Sequence, residues 1–205
     1  MDLGNDKFVS LFSDTTLASE IKEILIHMGD QINDVYWDKD KRRQIYSVHS
    51  DVRSIIYKWT EATEDTIGET FTTDYTPSVL TSKVYEVVDK AIKSFKNPNG
   101  INHGPRTRVV RLMLAKLKVG GTITPHEDHG NLLLTHRVHF VVQTNDQCKF
   151  TIDDQDFFFN EGLCFELNNA KTHSVTNSGD TERIHLICDL IVQSDSSDIV
   201  DSTPI

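Results

Sequence analysis

The sequence predicts a mainly β fold with flanking helices and an α-rich N-terminal half. Two amphipathic helical patterns lie in the first half of the chain, and short runs of β-branched and aromatic residues separated by turn residues follow Gly104-Pro105. Several strands at such spacing are typical of a sandwich or a barrel. Because 205 residues suit one compact domain, we expect a single domain over 1–193, with residues 1–104 packing on a β-rich core at 105–193.

The first half of the chain contains the two predicted helices and one predicted strand. Residues 15–29 place apolar side chains at helical intervals, which predicts a packed amphipathic helix. A second helix is predicted to begin after Thr76-Pro77, because proline suits a first helical turn, and to stop at residues 97–100. Between the helices, residues 48–59 favour a strand, whereas residues 34–43 are charged and irregular.

The second half reads as short strands between turn signals such as Gly120-Gly121. The final segment, residues 194–205, is rich in Ser and Asp and has too little apolar surface to offset the entropy of ordering it, so we expect a disordered acidic tail. The predicted strands are Arg108–Lys118, Arg137–Gln143, Cys148–Ile152, Asp156–Phe159, Leu163–Leu167 and Arg183–Val192.

The composition limits the classes of binding partner and the cellular compartment that we expect for this protein. With 21 Lys and Arg against 31 Asp and Glu, the formal charge is −10, which disfavours nucleic acid because phosphate backbones attract basic surfaces. Three cysteines without CxxC spacing argue against a disulfide framework and a zinc knuckle. The sequence shows neither a signal-peptide pattern nor an apolar run of roughly 18 residues. We therefore expect a cytoplasmic protein without membrane contact.

A candidate metal site lies in TPHEDHG, residues 124–130. His126 and Asp128 are two residues apart, so they project from the same face of an extended strand. His173 follows in NNAKTHSVTNSGD and supplies a third ligand. Two imidazoles and one carboxylate that leave coordination positions open are associated with non-haem Fe(II) oxygenases. Because short motifs carry false positives, an HxD pair alone also fits a chance arrangement.

Arg183 strengthens the oxygenase interpretation. It begins the largely apolar stretch RIHLICDLIV, ten residues after His173. A buried guanidinium requires an anion, and its planar fork fits a carboxylate with two hydrogen bonds, so the distal carboxylate of 2-oxoglutarate would satisfy it. The alternative is a structural arginine that points outward or pairs with Glu182 or Asp180.

Residues 105 to 192 resemble the aspartyl/asparaginyl β-hydroxylase-like branch of the 2-oxoglutarate oxygenases. The similarity lies in GGTITPHED, THRVHFVV, EGLCFELNNAKTHSVTNSGD and ERIHLICDL. In that family, a His after Pro is followed by an RxH element, an EG pair before an apolar strand, a distal His and an Arg ten residues beyond it. The matching residues here are His126, Arg137 and His139, Glu161-Gly162, His173, and Arg183.

The resemblance implies a fold and a set of roles. The family fold is a double-stranded β-helix, a jelly-roll or cupin-like barrel, and the domain would be catalytic. Asp128 is present here although some members lack this carboxylate, so a full triad for Fe(II) is implied, with 2-oxoglutarate and O2 as cosubstrates. His139 and Arg183 are expected to contact 2-oxoglutarate and Arg137 the substrate. A structural cross-strand role for Arg137 and His139 is the alternative.

Several functions stay open on these residues. An oxygenase of this kind would hydroxylate either a free amino acid such as proline or an Asp, Asn or Pro side chain within a protein, and would release succinate and CO2. A cupin-like protein that binds a metal or a small acid without turnover is the main alternative. A zinc hydrolase with the same three ligands is a further one, although no general base is apparent beside them.

Overall fold

The computed structural model describes residues 3–33, 37, 47–62, 67–72, 78–95 and 108–191. The predicted tail, the predicted helix stop at 97–100 and, apart from Trp37, the charged stretch at 34–43 lie outside these residues. Among the described residues, no helix is long and apolar enough to cross a membrane.

The described residues form helices and strands in an order that the sequence predicts in large part. The helices are α1 (Thr15–Asn33) and α2 (Ser78–Ser94), and two short 3-10 segments span Ser47–His49 and Gly130–Leu134. The strands are β1 (Phe8–Ser13), β2 (Val52–Ala62), β3 (Ile67–Thr72), β4 (Arg108–Leu117), β5 (Thr122–His126), β6 (His136–Gln143), β7 (Cys148–Ile152), β8 (Gln155–Phe157), β9 (Leu163–Leu167), β10 (His173–Asn177) and β11 (Arg183–Ile191).

The strands form two antiparallel sheets. The large sheet has the order β1-β9-β6-β11-β4-β2-β3 and the small sheet the order β5-β10-β7-β8. Apart from β7 and β8, which are neighbours in the small sheet, consecutive strands from β4 to β11 alternate between the sheets, so that β9-β6-β11-β4 lies in one and β5-β10-β7-β8 in the other. This winding is consistent with the predicted double-stranded β-helix core.

The large sheet is the middle of three layers. Apolar side chains of α1 and α2, including Leu17, Ile21 and Leu80, pack with Leu112 and Leu186 on one face of the sheet. The other face packs against the small sheet through a second apolar cluster that contains Phe150, Ile152 and Phe165. Because both faces are covered, the eight residues of β4 from Val110 to Leu117 are buried without a break, and the strand lacks the alternating pattern of a half-exposed one.

Strand β11 has two chemically different faces. Ile184, Leu186, Cys188 and Leu190 belong to the cluster under the helices. The alternate residues face the small sheet, because successive side chains of a strand point to opposite faces. They include Arg183, His185 and Asp189, which are all buried. The space between the two sheets therefore contains charged and titratable groups.

The expectation of an α-rich N-terminal half is wrong. Three of its segments, β1, β2 and β3, are strands of the large sheet, and only the 48–59 strand is predicted from the sequence. Strand β1 escapes prediction because a register shift between Ser10 and Phe12, in its pairing with β9, breaks the alternation that identifies a strand.

Candidate metal centre

The three predicted metal ligands lie together between β5 and β10. His126 and His173 are register partners in the antiparallel pairing of these strands, and Asp128 follows β5 by two residues. One ligand atom from each residue lies within 4.8 Å of the other two, and the two imidazole centroids are 4.3 Å apart. The pairing of the two strands therefore brings together residues that are 47 positions apart in the chain.

Each imidazole of this cluster is held by a backbone carbonyl. His126 Nδ1 lies 2.8 Å from the carbonyl oxygen of Thr124, and His173 Nδ1 lies 2.9 Å from that of Lys171. A ring that donates its Nδ1 proton to a carbonyl keeps Nε2 free of a proton, which is the form that binds a metal. The donor set, two imidazole nitrogens and one carboxylate oxygen, fits Fe(II) with open coordination positions.

The charges in the cluster favour these ligand forms at neutral pH. Burial lowers the pKa of His173 to about 4, although the Asp128 carboxylate acts in the opposite direction, so the imidazole is neutral. Burial by itself raises the pKa of Asp128, but the nearby Arg137 guanidinium lowers it below its ordinary value. The carboxylate is therefore ionised although it is buried.

Arg183 is buried on the inner face of β11. Its side chain is 1% exposed, and among the described residues its Nε and Nη1 atoms have no hydrogen-bond partner. Its Nη2 lies 2.8 Å from His185 Nδ1, and the guanidinium carbon lies 5.4 Å from the centroid of the Phe150 ring. Burial lowers the pKa of Arg183 to about 10, which leaves the group charged at neutral pH. The structural alternatives, an outward side chain or a pair with Glu182 or Asp180, do not describe this environment.

His139 lies beside Arg183 in the same layer. Its ring stacks on Phe165 with centroids 5.2 Å apart, and its Nδ1 is 3.3 Å from His185 Nδ1. Its buried Nε2 has no hydrogen-bond partner among the described residues. Burial, together with the charge of Arg183, holds the pKa of His139 and His185 well below the ordinary value. Both rings are neutral at neutral pH.

Arg137 contacts two carboxylates. Its Nε and Nη2 donate to the two oxygens of Asp189 at 2.8 and 2.9 Å, and its Nη1 donates to Asp128 Oδ2. Arg137 also lines the cavity described next, so it is placed where a substrate could reach it. The predicted contact with the substrate stays a prediction.

A cavity of about 440 Å³ connects these groups. All six predicted site residues line it, together with Trp59 and Arg111, whose guanidinium carbon lies 4.2 Å from the Trp59 ring centroid. No role in the site is predicted from the sequence for His185, Asp189 or Arg111. Alternation from Arg183 places His185 and Asp189 on the inner face, whereas Arg111 lies in an apolar strand that gives no such signal. The predicted site residues on the cavity wall are His126, Asp128, Arg137, His139, His173 and Arg183.

A jelly-roll core with a His–Asp–His cluster and a buried arginine in one cavity defines the class of the 2-oxoglutarate oxygenases. The sequence model of the Aspartyl/Asparaginyl beta-hydroxylase family matches residues 71–192. This match covers more than half of the chain, which therefore belongs to that family. The predicted family is confirmed, over a longer stretch than the resemblance in residues 105–192.

Solved structures of other proteins share the fold. A 2OG-Fe(II) oxygenase family oxidoreductase from Burkholderia pseudomallei is similar with a TM-score of 0.53 and 14% identity, over 85% of this chain and 91% of that one. The viral collagen prolyl hydroxylase of Paramecium bursaria Chlorella virus-1, solved with 2OG, is similar with a TM-score of 0.53 and 7% identity, over 91% of this chain and 96% of that one. A Pseudomonas putida prolyl-4-hydroxylase is similar with a TM-score of 0.52 and 11% identity, over 94% of this chain and 96% of that one. At these identities the comparison concerns the fold.

Proposed function

We propose that this protein is an Fe(II)- and 2-oxoglutarate-dependent dioxygenase that hydroxylates an amino acid or an amino-acid side chain and releases succinate and CO2. One observation carries the proposal: three side chains that could hold a metal and a buried arginine, two nitrogens of which have no hydrogen-bond partner among the described residues, line the same cavity. A metal site by itself fits a hydrolase or a binding protein equally well. The arginine calls for a second, anionic ligand in the same cavity.

His126, Asp128 and His173 would hold the metal. Their side chains are already in ligand form, because both Nδ1 atoms face carbonyl oxygens and Arg137 keeps Asp128 ionised. When bound, Fe(II) supplies the redox chemistry by which O2 oxidises 2-oxoglutarate and hydroxylates the substrate. The chain contributes the orientation of the ligands and an enclosed, largely apolar setting for the reaction.

Arg183 would bind the distal carboxylate of 2-oxoglutarate. The guanidinium is fixed by its contact with His185, and Nε and Nη1 have hydrogens to donate, which suits a planar carboxylate. His139 Nε2, which also has no hydrogen-bond partner among the described residues, would contact the cosubstrate as well. A dianionic ligand would also compensate the buried positive charge of Arg183.

The aromatic walls around Arg183 would keep water from the cosubstrate. Phe150 and Phe165 are buried, and the rings of Phe150 and His185 stack nearly parallel with centroids 6.1 Å apart. An apolar wall strengthens the pairing between a guanidinium and a carboxylate, because water no longer competes for either group.

The substrate is proposed to be of the Asp, Asn or Pro type, either free or within a protein. The family name supports an aspartyl or asparaginyl target, and two proteins of similar fold are prolyl hydroxylases. The predicted contact between Arg137 and the substrate is compatible with its pairing to Asp128 and Asp189, because three of its five N–H groups make those hydrogen bonds.

Anaerobic addition of Fe(II) and 2-oxoglutarate to the purified protein tests the proposal. We expect the weak visible absorption band of the Fe(II)–2-oxoglutarate chelate, its loss when O2 is admitted, and one succinate for each 2-oxoglutarate consumed. Bound metal without the band, or a stable band without succinate, would favour the cupin-like binding protein. Hydrolytic activity with Zn(II) in the absence of O2 would favour the hydrolase.

A matched pair of variants separates the site from the scaffold. His173→Ala should abolish Fe(II) retention and succinate formation, because it removes one of three ligands. His27→Ala removes an exposed histidine of α1 that lies outside both the ligand cluster and the cavity lining, and this variant should retain the metal. Metal content after gel filtration is the measurement, and full retention by the His173 variant would remove this residue from the proposed ligand set.

A further inference from the structure

Asp189 is a fully buried carboxylate that the proposed reaction does not use. It is 0% exposed and lies near the end of β11. Its register partners are Arg111 on β4 and Arg137 on β6, so the sheet places one acidic residue between two basic ones. A carboxylate without solvent is stable only when it is paired and hydrogen-bonded.

The pairing of Asp189 with Arg137 fixes the orientation of the guanidinium. Nε donates to Oδ1 at 2.8 Å and Nη2 donates to Oδ2 at 2.9 Å, so two parallel hydrogen bonds hold one edge of the plane. Such a fork defines the orientation of both groups, which a single contact to a lysine would not do. The opposite corner of the guanidinium, Nη1, then points in one direction only.

Nη1 of Arg137 donates to Asp128 Oδ2. Asp128 is the carboxylate of the proposed metal cluster, and this contact leaves its other oxygen, Oδ1, free of Arg137 and available to a metal. Asp128 lies two residues after the end of β5, and its backbone N–H donates to the carbonyl oxygen of Asn169. The hydrogen bond from Arg137 then orients the carboxylate, and Asp189 orients Arg137.

The charges give a second reason for Asp189. Arg137 alone would neutralise Asp128 and weaken its attraction for a cation. Asp189 pairs with two N–H groups of Arg137 and so compensates part of the guanidinium charge, which leaves Asp128 with more of its attraction for a divalent metal. Residues that orient a metal ligand from behind typically change metal affinity by about 10- to 100-fold when they are replaced.

We propose that Asp189 is a positioning residue of the metal centre, which holds Arg137 so that Arg137 holds Asp128 for the metal. This inference rests on the proposed function, because it requires His126, Asp128 and His173 to bind a metal. It gives the inner face of β11 two tasks: Arg183 binds the cosubstrate and Asp189 supports the metal ligand.

Co(II) titration of the apoprotein without 2-oxoglutarate tests this role, with the d–d absorption bands as a report on coordination geometry. We expect Asp189→Asn to raise the Kd for Co(II) by about 10- to 100-fold and to change the bands. Arg137→Lys, which keeps the charge and loses the fork, should have a similar effect. The double variant should bind Co(II) with the same Kd as whichever single variant has the higher Kd, because both substitutions disrupt the same contact.

Glu166→Gln is the matched control. Glu166 is 5% exposed and pairs with His136 at 2.7 Å, on the face of the large sheet that packs under the helices. This variant should lose stability and keep the Co(II) affinity and spectrum of the parent protein. If Asp189 has a positioning role, its replacement changes the Co(II) affinity and the Co(II) spectrum. If its role is purely structural, its replacement changes only the stability.

The outcomes separate the inference from the proposed function. If the parent protein does not bind Co(II), the proposed metal site itself is wrong. If the parent protein binds Co(II) and Asp189→Asn binds it with the same Kd and spectrum, the positioning role is overturned and the metal site stands. If Asp189→Asn does not fold, Arg137→Lys decides, and an unchanged Kd and spectrum for that variant would likewise overturn the inference.

Discussion

Replacing Arg183 by Met should stabilise the protein without ligand and weaken 2-oxoglutarate binding. In the absence of an anion, burial lowers the pKa of Arg183 from its ordinary 12.5 to about 10. A folded-state pKa below the unfolded one means that folding penalises the charged form at every pH below about 10, by roughly 3 kcal/mol at 1.36 kcal/mol per pH unit. Met keeps much of the side-chain length and removes this penalty.

The same substitution removes the proposed partner of the distal carboxylate. Loss of one member of a buried charge pair costs about 2–5 kcal/mol, which corresponds to a Kd for 2-oxoglutarate that is roughly 30- to 5000-fold higher. At 100 times its Kd, 2-oxoglutarate should stabilise the parent protein by about 2.7 kcal/mol. At that concentration the variant should gain less than about 1 kcal/mol.

Urea unfolding of the apoprotein and anaerobic titration of the Fe(II)–2-oxoglutarate band measure the two effects. Lys93→Met, which removes an exposed cation near the end of α2, is the control. It should leave 2-oxoglutarate binding unchanged and the free energy of unfolding within about 0.5 kcal/mol of the parent value, since an exposed i,i+4 ion pair contributes no more. An Arg183→Met protein that is less stable without ligand, and that binds 2-oxoglutarate as tightly as the parent, would refute the reasoning. Arg183 would then be a structural residue.

Three further predictions concern the scaffold, and unfolding free energies or thiol labelling measure them. Gly162→Ala should cost more than Gly120→Ala: both glycines have positive φ, at 84° and 69°, but a Cβ at Gly162 would lie 2.7 Å from the Thr15 backbone nitrogen and one at Gly120 has open space. The strain alone accounts for about 1–3 kcal/mol, so equal costs would contradict the clash. Leu114→Ala should cost about 2–5 kcal/mol, because Leu114 is 0% exposed, and a cost below 1 kcal/mol would contradict the packing. Burial raises the pKa of all three thiols, so thiol reagents at pH 8 should label the native protein slowly and modify three groups per chain only after unfolding; fast native labelling would contradict this. The three thiols are Cys148, Cys164 and Cys188.

Periodicity and turn residues predicted much of the fold. The pattern at residues 15–29 ends where the helical geometry of α1 breaks, at Gly29 with φ 45°. The six strands predicted in the second half are present, two with the predicted ends and the others with ends shifted by no more than two residues. Strands β5 and β10 are absent from that set because each has one aliphatic residue, Ile123 and Val175, among polar residues and Pro125, so no apolar alternation stands out.

The candidate site was predicted from motifs and not from its contacts. The spacing of His126 and Asp128 predicts a common direction on one strand, but β5 ends at His126, and the approach to His173 depends on the pairing of β5 with β10. The link between Arg137 and Asp189 is similar, since it joins positions 52 residues apart through the pairing of β6 with β11. Sequence patterns describe one strand at a time, whereas these contacts arise from the order of strands in the sheet.

Because the two faces of β11 differ in chemistry, the strand must pair with its neighbours in one register. A slip of one residue in its pairing with β4 or β6 would turn Arg183, His185 and Asp189 toward the helices and the apolar residues toward the cavity. Such a chain would bury three polar groups without their partners and would expose the apolar side chains of the core to the site. The polar groups of the native site thus also act against pairing that is shifted by one residue, because such a state carries the uncompensated cost of burying them.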